Sequence, residues 1–307
     1  ACLMAPMTGY RTWLEYDKQQ RAGSLMLMVG AMGMLTSTLP VQWLLPITGW
    51  RSIFLGLAAL LFIAMLLLYK IVPGWINHKT RAADEGAQQT NAVSTGLLAS
   101  YIPVWESAYF RSLIPMGFFG YGGLIAMQTL WAGPWMISVS GYSSVEAATG
   151  LFWINVAMFL TYLGWGLVTP HLYAKGFDAN KLIAHFAPLT FFTQIYIIWA
   201  GHEAGALAWT LFCITSSVIA LSQAAIGMAV EKHLAGRALS AYNLVLFLGV
   251  FVVQWSVGLM IDLFKNHGYD ELSAFRFSIG IIFICGFISY LIFVRKNFYQ
   301  IRQKIDL

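Results

Sequence analysis

The chain has 307 residues, of which 59% are hydrophobic and only 10% charged, with a net charge of +5 and a mean hydropathy of +0.68. Soluble domains carry about 25% charged residues, so this composition excludes a large soluble protein with a solvated surface. The basic residues lie between apolar runs and form no patch interleaved with aromatics, which argues against a nucleic-acid partner.

Taken in order, residues 1–13 read as the end of an apolar helix closing at Arg11, followed by a charged turn with Glu15, Asp17, Lys18 and Arg21. The chain opens at Ala1-Cys2-Leu3 without an initiator Met, and is read as a fragment that starts inside a helix. Apolar segments then run over 24–45, 51–72, 111–138, 147–173, 182–200, 204–230, 238–263 and 276–294. Each is close to the ~20 residues that cross about 30 Å of hydrocarbon as a helix. The expected fold is therefore an all-α integral membrane protein with eight full transmembrane helices and one partial helix. The joints carry helix breakers: Pro46 and Gly49, Gly141, Pro170 and Gly176, Gly201, Gly236, and Gly268.

Residues 73–110 differ from everything around them. They gather Lys79, Arg81, Asp84, Glu85, Gln88, Gln89 and Asn91, and read as a polar link between two helical blocks, 1–72 and 111–307. Within the link, Leu97, Leu98, Tyr101, Ile102 and Trp105 recur at helical spacing, as in a short helix lying on a membrane face. When loops alternate sides from Arg11 onward, fifteen of the eighteen Lys and Arg fall on one side. The positive-inside bias makes that side cytoplasmic, and with it the link and the C-terminus.

The three cysteines, Cys2, Cys213 and Cys285, lie far apart in apolar runs and read as small buried hydrophobes. The histidines at 78, 171, 185, 202, 233 and 267 have no metal-ligand spacing. No cofactor is expected, and an integral-membrane enzyme finds no His/Asp, Ser/His or metal cluster. All thirteen Asp and Glu sit in loops or near segment ends, so no mid-membrane acid is evident for coupling to protons.

Three stripes of amides and aromatics remain. Tyr121, Gln128, Trp131 and Trp135 share one helix face by spacing. Phe152, Asn155, Phe159 and Tyr162 form a second stripe, and Asn243, Phe247, Val250 and Gln254 a third. Such stripes suit an aqueous cavity that binds a small organic solute. Interhelical hydrogen bonding is the competing use of the same residues. Gln128, Trp131, Trp135, Asn155, Asn243 and Gln254 are the expected solute-binding residues.

Three junctions resemble the major facilitator superfamily. Pro46-Ile47-Thr48-Gly49-Trp50-Arg51 is similar to the Gly-Trp-Arg turn between that family's fifth and sixth helices. Glu231 to Asn243, with Gly236-Arg237-Ala238 at its centre, resembles the turn into the eleventh helix, which continues through Gln254, Trp255, Gly258 and Asp262 as in bacterial members. Gly164-Trp165-Gly166 through Gly176 resembles a degraded Gly-rich basic loop in which the acidic residue is missing. The resemblance implies family helices four to twelve, with 1–72 as the remainder of an N-terminal bundle and 111–307 as a six-helix bundle. It also implies a monomeric carrier of a small organic solute, an anionic one included, in the bacterial cytoplasmic (inner) membrane, working by alternating access. A coupling proton or other ion is left open, and a transporter-like sensor without flux is the alternative. The family's sixth, ninth and twelfth helices are peripheral. Segments 51–72 and 276–294 are apolar enough for that role, whereas Thr193 and Gln194 make 182–200 an exception.

Overall fold

The computed structural model describes residues 26, 28–30, 32–71, 101–230 and 234–305, with 224, 228 and 297–305 by backbone alone. The described residues contain helices and no strand. Among the described residues, seven helices are long and apolar enough to cross a membrane. They are α1 (Leu39–Ile71), α2 (Ala108–Val139), α3 (Ser144–Ala174), α4 (Ala179–Glu203), α5 (Ala206–Gly227), α6 (Ala235–Asn266) and α7 (Glu271–Lys296). The helix of α7 continues to Ile305. Residues 1–25, and 73–100 of the polar link, lie outside the described residues.

The expected segment 24–45 is not among the seven spans. Helix over 32–36 gives way to a turn at Ser37 and Thr38 before α1 begins at Leu39. The hydroxyls of Thr36, Ser37 and Thr38 donate to the carbonyls of Gly33, Met34 and Leu35, competing with the backbone ladder. Pro40 then supplies no N–H to continue it. The next break falls at Gly49, whose φ of 70° interrupts α1 in a conformation that costs glycine little. Directly after it the Arg51 guanidinium lies over the Trp50 ring, 4.6 Å from its centre. Residues 51–71 therefore form an unbroken helix, as the sequence led us to expect, and none of the α1 residues is buried.

The chain divides into two compact units, Pro40–Ser100 on one hand and Ala1–Leu39 with Tyr101–Leu307 on the other. Helices α2 to α7 build the larger one. Within it α5 packs between α3 and α4, α6 packs between α2 and α7, and α4 closes onto α7. Local sequence sets the helix starts. Ser143 and Glu146 form a reciprocal capping box at α3, and Asp178 accepts from the Lys181 N–H at α4. At α7 the Asp270 carboxylate accepts from Ser273, which holds its pKa below the ordinary value. The short helix Ile102–Glu106 precedes α2, with Val104 buried and the Trp105 ring edge-on to Phe110.

Two apolar clusters fill the bundle. One gathers Trp135, Trp209, Phe275, Ile154 and Val257; the other gathers Phe110, Leu113, Tyr242, Ile183 and Phe293. Several polar side chains inside the unit are paired across helices. Trp165 donates to the Ser217 hydroxyl at 2.8 Å, Tyr242 to Ser222 at 2.9 Å, and Thr193 meets Thr215 at 3.2 Å. Gln194 is also buried. The polar residues that made 182–200 look unsuited to lipid thus point into the bundle.

Helix α2 departs from regular geometry three times, with π-helical turns at Met116–Tyr121, Met127–Trp131 and Trp135–Val139. Each such turn widens the helix and rotates the following face. Between the first two, α2 meets α6 backbone to backbone. A Cβ on Gly122 would lie 2.7 Å from the Gly249 carbonyl carbon, and one on Gly249 would overlap the Phe118 carbonyl oxygen. No side-chain rotation relieves a clash with backbone, and overpacking typically costs about 1–3 kcal/mol. Gly249→Ala is expected to lower the melting temperature in detergent by several degrees. Gly280→Ala on α7, where a Cβ meets nothing within 4 Å, should leave it unchanged. Equal melting of the two variants would show that α2 and α6 do not touch this closely.

Candidate functional site

Beyond the glycine contact α2 and α6 separate, and an open groove of about 410 Å3 lies between them. Leu130 and Trp131 line it from α2; Phe251, Gln254, Trp255, Gly258, Leu259 and Asp262 line it from α6. The α6 residues recur at intervals of three and four, so they occupy one face. The volume falls within the ~300–1,000 Å3 of small-molecule sites.

Two hydrogen bonds fix the groove's shape. The Trp131 indole N–H donates to the Gln254 carbonyl at 3.1 Å, and the Gln254 side-chain amide donates to the Thr129 hydroxyl at 3.0 Å. Trp131 can approach α6 because residue 258 is glycine; a Cβ there would come within 3.3 Å of its ring. Its edge-on contact with Phe275 of α7 braces the ring from behind. Phe251 and Trp255 stack nearly parallel, 20° apart, on the exposed side of α6. Asp262 is exposed at the end of the groove, and no ion pair involves it among the described residues.

The six expected binding residues part company here. Trp131 and Gln254 stand together in the groove. Gln128 and Asn155 are brought together elsewhere, across α2 and α3, where the Gln128 amide donates to Asn155 Oδ1 at 2.9 Å. Both are nearly sealed, at 5% and 8% exposure. Trp135 is fully buried; its N–H donates to the Ala204 carbonyl at 2.9 Å, and its ring packs against Trp209 and Phe275. Asn243 lies eleven residues before Gln254 on α6, about 16 Å away at 1.5 Å per residue, and does not line the groove. Trp131 and Trp135 still pack against one ring, Phe275 of α7, whereas Gln128 turns to Asn155 of α3.

Leu130, Phe251, Trp255, Gly258, Leu259 and Asp262 are the groove residues that the stripes left out. The spacing of Phe251, Trp255, Gly258 and Asp262 carries a signal for them, since it marks one helix face. A second, closed cavity of about 20 Å3 lies among α2, α4, α5 and α7, with Thr190, Gln194 and Ser216 on its wall. It has room for a single water. No group of three or more His, Cys, Asp and Glu among the described residues could hold a metal.

The class that this fold defines is a polytopic α-helical membrane protein. No protein-family model matches the chain, and no curated protein matches it.

The pairing of Gln128 with Asn155 has a measurable consequence. Removing one partner leaves the other unsatisfied, at about 1–3 kcal/mol, whereas removing both is milder. A double-mutant cycle with Gln128→Leu and Asn155→Leu, read by thermal unfolding in detergent, should give a coupling of about 0.6 kcal/mol, the average for hydrogen bonds between membrane helices, and at most about 1.7 kcal/mol. Additive losses would mean that the two amides act independently.

Proposed function

We propose that this protein is a secondary transporter of the major facilitator type, carrying a small organic solute across the cytoplasmic membrane by alternating access, with the α2–α6 groove as part of its solute path. The observation that carries this reading is the groove itself. It joins an amide, a carboxylate and two indoles on a pair of helices that each have the length and hydropathy to span a bilayer. Polar groups on lipid-exposed faces are costly, so a groove that carries an amide and a carboxylate among apolar residues favours an aqueous path. The Gly-Trp-Arg turn adds support, since it has the broken backbone and stacked arginine of a membrane-surface anchor. The π-turns of α2 beside the groove are of a kind frequent at functional sites.

On this reading Gln254 offers its amide oxygen to solute while its N–H holds Thr129. A lost neutral hydrogen bond is worth about 0.5–1.5 kcal/mol, or roughly twofold to tenfold in affinity. In membrane vesicles containing the protein, uptake of a radiolabelled solute found by screening should show a KM raised by that factor in Gln254→Ala. Ser278→Ala should leave uptake unchanged, because Ser278 is buried in α7 and donates to its own helix at Ala274. Solute uptake indifferent to Gln254, or no uptake of any solute, would refute the proposal.

A further inference from the structure

Resting on the transporter reading, we infer that the α2–α6 groove selects organic cations, with Asp262 as the counter-charge and the groove's indoles as the apolar wall. Of the eight described residues lining the groove, Asp262 alone has a charged side chain, and among the described residues no Lys, Arg or His lines it. The nearest basic side chain along α6 is Lys265, whose ammonium is engaged by Glu271 at 3.1 Å. Arg276, at the same end of the bundle, donates to the Trp199 carbonyl at 2.7 Å. Among the described residues no basic side chain pairs with the Asp262 carboxylate, and an anionic solute in the groove would meet its repulsion.

The rest of the lining fits the same class. Aromatic faces attract cations through the ring quadrupole, tryptophan most strongly, and quaternary ammonium groups are commonly held this way. Trp131, Trp255 and Phe251 bring three rings to a groove whose end carries the carboxylate. The Trp131 N–H is already used by the Gln254 carbonyl, so that indole offers π surface and no free donor. Leu130 and Leu259 supply apolar contact for the body of the molecule. A compact ammonium bearing an apolar or aryl group matches all of these features together, and a sugar, which needs many donors and acceptors, does not.

The test uses benzyltrimethylammonium and its uncharged isostere neopentylbenzene, in which carbon replaces nitrogen. Binding of the radiolabelled cation to the purified protein should be saturable, and the isostere should compete at least tenfold less well than unlabelled cation. Asp262→Asn should weaken cation binding at least tenfold and sharply reduce the preference over the isostere, leaving what the rings supply. Trp255→Leu should weaken cation binding several-fold. Unchanged melting temperatures in both variants would show that folding is intact, as expected for two exposed side chains. The inference is overturned if the cation fails to bind, if the isostere competes equally, or if Asp262→Asn binds the cation as the parent does. The transporter reading fails separately: binding that depends on Asp262 without flux of any solute would leave a cation site on a non-transporting protein. Flux of a neutral or anionic solute that depends on Gln254 and ignores Asp262 would keep the carrier and discard the cation.

Discussion

The backbone contact between Gly122 and Gly249 is the constraint from which the rest of the larger unit follows. Where α2 and α6 meet there is no space for even a methyl group, and lipid offers no hydrophobic drive to hold helices together. Close van der Waals approach through small residues is the usual substitute in a bilayer. Because the helices touch at one point and diverge beyond it, the space between them opens into the groove. Trp131 bridges that divergence, donating to the Gln254 carbonyl and lying against Gly258. The glycines thus set both the tight part of the seam and the floor of the open part.

A second constraint comes from the apolar solvent. Polar groups within membrane helices must find partners inside the protein, and most described ones do. Serines and threonines such as Thr161, Thr210, Ser278 and Ser289 turn back to carbonyls one turn earlier in their own helices. Others pair across helices, as Gln128 does with Asn155 and Trp165 with Ser217. Against that background Asp262 and the stacked indole of Trp255 stand apart, as exposed groups with no such use. Their position on one face of α6, facing the same groove, gives them a shared environment that the interior amides lack.

Much of the helical layout was legible in the sequence. Hydropathy alone brackets α2 to α7 to within a few residues, and the glycines picked out at 49, 141, 176, 201 and 268 all adopt positive φ at turns. Gly236, chosen on the same grounds, lies instead inside α6, because glycine in a helix is permitted as well as glycine in a turn. Within the segment 24–45, which lies partly outside the described residues, hydropathy does not register the Thr36-Ser37-Thr38-Leu39-Pro40 interruption. Of the candidate site, Trp131 and Gln254 were visible as stripe residues. Gln128 and Trp135 were grouped with them by helical spacing, which does not tell a residue that meets a neighbouring helix from one that lines a groove. Asp262 was discounted for lying near a helix end, although its spacing from Phe251 and Gly258 places it on the groove face.

Whether the groove faces water or lipid decides the central claim, and thiol accessibility in native membranes reads it directly. A single cysteine at Leu259, which lines the groove and is exposed, in a background with Cys2, Cys213 and Cys285 replaced, should react with a membrane-impermeant methanethiosulfonate reagent, and a single cysteine at Leu244, exposed on the same helix outside the groove, should not. Reaction of position 259 only with a lipid-soluble maleimide, at a rate like that of position 244, would mean that the groove is a lipid-filled seam and that no solute path runs between α2 and α6.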